Sequence, residues 1–205
     1  MHTAASKGYF MHLARSLVVS VLTLTPIACE TPPPASLHAN PSGPLRLKSK
    51  GASEQIDVTA KDAKLLPYTS PIQVSFRSLD ESVAEVSDTG LVTAVSSGNT
   101  RISASAGALA TEVEVQVRIL GSVEIASDVP RSLSLRRGGD YRAQTTVKDD
   151  RGQVMDPAPP VSFSVSNYCI DVDPDGTFRP VSVGKCELIA TAGSQSARLL
   201  VEVGY

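Results

Sequence analysis

A chain of 205 residues has room for one or two domains. Its formal net charge of −2 offers neither a basic surface for nucleic acid nor an acidic tail. Aromatics make up 4% and Trp is absent, so the stacking platforms used by sugars and single-stranded bases are scarce.

The first element in chain order is an export signal. Lys7 and Arg15 form a basic n-region ahead of an apolar run from Leu17 to Ala28. About a dozen apolar positions are too few to span a hydrocarbon core of ~30 Å, so residues 1–28 read as a signal peptide rather than a permanent span. The run closes on Pro26-Ile27-Ala28-Cys29, which resembles the lipobox of bacterial lipoproteins, with Pro26 standing where those families carry Leu, Val or Ile. The resemblance implies lipidation of Cys29 and a membrane partner through that anchor; export without a lipid is the alternative. Glu30 follows, where Asp commonly signals inner-membrane retention, so the expected address is the outer membrane or cell surface. A periplasmic or secreted chain is the other reading. Residues 29–44, rich in Pro, read as an extended tether.

After residue 44 the chain repeats itself. Ser78–Gly107 aligns without a gap over Ser164–Gly193, with nine identities in thirty positions, where this composition would give roughly two or three by chance. Gly90 and Gly176 close matching turns, as do Gly98 and Gly184, and equal spacing of residues that accept positive φ means equal turns. Domain 1 is placed at 45–119 and domain 2 at 120–205. Period-two alternation marks strands in Ile72–Phe76, Arg101–Ala106, Glu112–Val117 and Val161–Val165. About seven short strands per unit, divided by turns such as Asp149-Asp150-Arg151-Gly152, indicate an all-β chain of two tandem antiparallel β-sandwiches.

With Cys29 reserved for the lipid, Cys169 and Cys186 are left as a pair, either a disulfide or two buried thiols. Bridged, they would close a loop of roughly 18 residues, about 3 kcal/mol in the chain-entropy account. Cys186 shares the strand phase of Leu188 and Ala190 and so should point inward; Val83 and Thr100 occupy the matching positions of the first repeat.

The segments Asp80–Val86, Thr89–Val95 and Gly98–Ile102 resemble the bacterial immunoglobulin-like group 2 domain, whose pattern runs roughly S-x-x-x-S-V-A-x-V-x-x-x-G-x-V-T-A-V-x-x-G-x-x-x-I-x-A. The second repeat keeps Asp175-Gly176 and Val181–Gly184 but carries Cys169 for Val and Arg179-Pro180 for Thr-Ala. Leu133–Gly139 is similar to the family's opening strand and turn. The resemblance implies immunoglobulin-like sandwiches in a surface or secreted protein, serving as stalk, spacer or adhesive module, and it transfers no catalytic residue.

Other chemistry is thinly represented. Asp171-Val172-Asp173-Pro174-Asp175-Gly176 copies the opening of a calcium loop, but the twelfth position is Ser182 and strands rather than helices flank it, so a hairpin turn is expected and at most a weak calcium site near Asp171–Asp175. His2, His12 and His38 all lie in the leader or tether, which leaves Ser and Thr in the domains without a base and the cysteines without metal-ligand company. Asp149-Asp150 sits in a turn, where solvated acids are ordinary, and Arg136-Arg137, Lys48 and Lys50 read as solvated strand ends. No enzyme, metal or cofactor is expected. A structural or adhesive module is, with binding of a glycan or partner protein as the alternative; Tyr205 directly follows the last strand, so the two domains themselves are the expected working part.

Overall fold

The computed structural model describes residues 33–126 and 128–205; residues 1–28, expected to be a signal peptide, and Cys29, the expected lipidation site, lie outside the described residues. Pro33–Tyr205 forms one compact unit, within which the sheets fall into two sets that share no strand.

The first repeat holds β1 (Ser36–Asn40), β2 (Leu45–Leu47), β3 (Ser53–Gln55), β4 (Asp57–Lys61), β5 (Ser75–Ser78), β6 (Ala84–Val86), β7 (Leu91–Ala94), β8 (Gly98–Ala106) and β9 (Leu109–Val117). The second holds β10 (Leu120–Ile125), β11 (Ser132–Ser134), β12 (Tyr141–Arg142), β13 (Thr145–Asp149), β14 (Ser162–Val165), β15 (Ile170–Val172), β16 (Thr177–Pro180), β17 (Gly184–Ala192) and β18 (Gln195–Gly204).

Their topologies are the same. The first repeat pairs β1–β4, β3–β7–β6 and β2–β9–β8–β5; the second pairs β10–β13, β12–β16–β15 and β11–β18–β17–β14. β2 on β9 and β11 on β18 are the parallel pairings, and the others are antiparallel. β3 and β4 meet across the buried Ile56, so β1, β4/β3, β7 and β6 make one face and β2, β9, β8 and β5 the other, the strand arrangement of an immunoglobulin-like sandwich.

Alternation along the strands fills the space between the faces. In β9, Val113, Val115 and Val117 are buried while Glu112 and Glu114 are not, and Ile102, Ile56, Val92 and Leu45 complete the first core. The second core gathers Leu133, Ile170, Phe178, Leu188, Val201 and Val203 around both cysteines. Cys186, Leu188 and Ala190 share the inward face of β17, as their common phase requires.

Three expectations change. Each repeat has nine strands rather than about seven, because the chain changes sheets within short stretches: in the first repeat Pro41 and Pro44, which have no amide donor, separate β1 from β2, and β3 and β4 join different partners. Part of the tether is folded, since β1 runs from Ser36 to Asn40 alongside β4, Ala35 N–H donates to Lys61 O at 2.8 Å, and Leu37 is buried. His38 is therefore a strand residue, with Nε2 3.1 Å from Ser36 Oγ. Finally, the gapless alignment is one residue out at its start. Ser78 pairs with Ile102 whereas Val165 pairs with the corresponding Leu188, so the loop before β15 is one residue shorter than that before β6. The shift brings Phe76 and Phe163 to equivalent places, each ring lying where a Cβ on Gly90 or Gly176 would come within 2.8 Å of it. Both glycines have φ of +85°, so the residue and its aromatic cover recur together.

Candidate functional site

Of the residues singled out by sequence, the structure joins Cys169 to Cys186 in a disulfide with a Cα–Cα distance of 5.9 Å. Cys169 lies just before β15 and Cys186 in β17, so the bridge ties the two faces of the second sandwich together. At the matching place in the first repeat Val83 and Thr100 are buried, and Thr100 Oγ1 has no hydrogen-bond partner among the described residues.

The acids of the calcium-like loop are engaged otherwise. Arg179 donates to Asp171 at 2.8 Å and to Asp173 at 3.2 Å, and Asp175 accepts from the Thr177 amide and hydroxyl, both at 3.0 Å. The Thr177 amide bond, then its hydroxyl bond, holds the Asp175 carboxyl below its usual range. Among the described residues no three His, Cys, Asp or Glu side chains are grouped as metal ligands would be. The basic residues are exposed: Lys48 and Lys50 follow β2, Arg136 and Arg137 follow β11, and Arg136 lies 5.8 Å from the centroid of the Tyr205 ring.

The densest polar constellation is the junction between the repeats, and sequence reading assigned it no role. β9 ends at Val117 and β10 begins at Leu120, so Arg118 and Ile119 alone connect them. Ile119 is buried against the first core, and its amide donates to the buried Ser97 Oγ at 2.8 Å. From the second repeat the turn after β13 reaches back. Asp150 N–H donates to Ile119 O at 3.1 Å, while its carboxylate accepts from the Ser97 amide at 3.0 Å and the Ser96 hydroxyl at 2.9 Å. Arg151 Nε donates to Ser96 Oγ at 2.8 Å, and its terminal nitrogen donates to Ser82 O at 3.0 Å. Gly121 allows this approach, since a Cβ there would meet Asp149 O.

Electrostatics at the junction follow from these bonds. Burial would raise Asp150, but donation from Ser97 and Ser96 outweighs it and keeps the carboxyl below its ordinary value. Asp80 is likewise lowered, first by the Ser82 hydroxyl at 2.7 Å and then by the Ser82 amide at 3.0 Å. A polar cleft of about 230 Å³ opens beside the clamp between Asn99 and Arg118 on one side and Gln153 and Asp156 on the other. A larger open groove of about 400 Å³ runs past Leu79, Asn99, Arg101 and Glu114 of the first repeat. What the clamp can do is mechanical: it fixes one sandwich on the other with charge-assisted hydrogen bonds.

Its parts sit 53 to 69 residues apart in sequence. The signal that could have found them is the repeat itself, because the turn holding Asp150 and Arg151 has a counterpart in the first repeat. Asp149 Oδ1 accepts the amides of Arg151 and Gln153 at 3.0 and 2.8 Å, and Asp62 Oδ1 accepts those of Lys64 and Leu66 at 2.8 and 2.9 Å.

Residues 48–117 match the family model of the bacterial Ig-like domain (group 2). Over 152 residues the chain is 30% identical to ice-binding protein 1 of Shewanella frigidimarina (strain NCIMB 400); the match takes in 72% of the chain but spans only 16% of that protein. The structure of FdeC, an Escherichia coli adhesin, superimposes with a TM-score of 0.57 at 14% identity, over 82% of this chain and 64% of that one, a likeness of fold. The S-layer protein rSbsC(31–844) overlaps 73% of this chain and 23% of its own, with a TM-score of 0.36 and 18% identity.

Proposed function

With residues 48–117 a bacterial Ig-like domain of group 2, we propose that the chain is a non-catalytic, extracytoplasmic module: two Ig-like sandwiches locked into one stiff piece and held at a membrane by lipid on Cys29. The observation that carries the structural part is the junction. A two-residue connection backed by Asp150, Arg151, Ser96 and Ser97 suits a spacer that keeps its direction. The anchor rests on the apolar run ending in Ala28-Cys29.

The test of the anchor is the intact mass of the mature protein from membrane fractions, taken with and without reductant. A chain starting at Cys29 with added acyl mass, gaining two hydrogens on reduction, supports the reading; a soluble chain cleaved elsewhere refutes the anchor. A second reading, a module that binds a partner protein or glycan, is favoured by the large apolar and aromatic side chains left exposed at Tyr168 and Val183. Retention on cells or matrix that Tyr168→Ala abolishes would select it over the spacer.

A further inference from the structure

The two repeats present corresponding surfaces at the junction and away from it. Backbone hydrogen bonds define the correspondence. Val95 and Ser96 amides donate to Val83 O as those of Val181 and Ser182 donate to Cys169 O, so Ser97 corresponds to Val183 and Ser82 to Tyr168. The Asp62 and Asp149 turns correspond residue by residue: Ala63 matches Asp150, Lys64 matches Arg151, Leu65 matches Gly152 and Leu66 matches Gln153. The isolated bridges Lys61–Pro67 and Lys148–Val154 close both turns in the same register.

In the internal junction, the second repeat's turn docks on the Ser82, Ser96 and Ser97 end of the first. The first repeat's own turn and the second repeat's corresponding end have no partner among the described residues. At both, docking residues change together, while Ser96 keeps its serine in Ser182. Asp150 with Ser97 becomes Ala63 with Val183, and Arg151 with Ser82 becomes Lys64 with Tyr168. Leu65 and Leu66 are 66% and 58% exposed, and Tyr168 and Val183 are 78% and 49% exposed. Single exposed apolar side chains are ordinary, but Tyr168 and Val183 stand at docking positions, and Leu65 and Leu66 directly follow the docking positions Ala63 and Lys64.

Leu65 adds an independent argument. Its φ is +63°, where the corresponding Gly152 has +77°. A bulky residue there costs about 1–2 kcal/mol that glycine would avoid, so the side chain stands at a local cost in a place where it covers nothing of its own core.

We propose that the Asp62–Leu66 turn of one copy docks on the Tyr168–Val183 end of another, so that the chain associates head to tail through a less polar version of its internal junction. Such a contact is heterologous. Unless a ring closes, it leaves a free head and a free tail after every addition, and in either case it does not stop at two. The proposal does not depend on the lipid anchor.

The test is sedimentation velocity on residues 33–205, which carry both complete cores, over a wide concentration range. Expected is a mean mass that climbs past that of a dimer. Leu65→Asp and Val183→Asp, each at an exposed position, should each leave a monomer, while an equimolar mixture of the two should form a dimer and nothing larger, since one intact head and one intact tail remain. A thermal melt checks that each variant is folded, and Leu66→Asp with Tyr168→Asp form a second pair should either fail. A wild-type chain that stays monomeric, one that stops at a dimer, or variants that associate like wild type would each overturn the proposal.

Discussion

The two sandwiches have one topology and two ways of holding their faces together. Where the second repeat has the Cys169–Cys186 bridge, the first has Val83 and Thr100, with a hydroxyl buried and unpartnered. The second also places Phe178 where the first has Val92, and Tyr141 packs on it at 5.7 Å. The same backbone is thus stabilised covalently and by a larger aromatic core in one copy, and by mainly aliphatic packing with Phe76 in the other. The strand pattern dictates the fold, while the residues bridging the faces set how strongly it is held.

The largest expected effect comes from erasing that difference. Replacing the bridge with its counterpart, Cys169→Val with Cys186→Thr, should cost the second repeat about 3 kcal/mol for a loop of this length. Chemical denaturation followed in both repeats would then show the second losing stability while the first keeps its midpoint; an unchanged second repeat would deny the bridge any role.

Breaking a feature the copies share should hurt both. Gly90→Ala places a Cβ 2.6 Å from Ile56 O at a φ of +85°, and Gly176→Ala places one against the Phe163 ring, with Ala143 O at 3.1 Å. About 2 kcal/mol is expected for each, with Gly90→Ala the worse because a backbone oxygen yields less than a ring. Equilibrium unfolding of the two variants checks the order.

A smaller gain should follow from Thr100→Val. It removes a buried hydroxyl that has no partner while keeping the shape of the site, and should stabilise the first repeat by about 1 kcal/mol. A loss of stability would mean that the hydroxyl has a partner in solution, such as a bound water.

The smallest change in stability, and the largest in geometry, is expected at the junction. Asp150→Ala removes the acceptor of two hydrogen bonds from the first repeat while leaving both cores intact. Each repeat's melt should hardly move, whereas small-angle scattering should report a wider spread of orientations. Acid should act in the same direction. Asp150 and Asp80 titrate below their unfolded values, so their contribution is present above about pH 4 and is lost as pH falls through the depressed folded values. Scattering that is unchanged by the substitution and by acid would remove the clamp from the account.

Much of the fold was legible in the residues. Alternation in β8, β9, β14 and β17 located the faces, equally spaced glycines revealed the duplication, and the strand phase of Cys186 pointed it at its partner. Lost from view were strands that show little alternation. β1 hides between prolines in what reads as a tether, and β3 and β4 join different partners within one extended run. Ser78 and Ser164 are identical yet not equivalent, because residue identity does not register a loop shortened by one residue and the pairing of Phe76 and Phe163 over their glycines does.

By itself the sequence determined an all-β chain with two copies of one sandwich and a pair of cysteines in the second, since period-two burial and positive-φ turns are local properties written every few residues. Only the tertiary structure decided that an acidic turn serves as a clamp rather than a solvated loop. Asp150 and Arg151 meet Ser82, Ser96 and Ser97 across more than fifty residues, and no local pattern in the chain says which distant groups will meet.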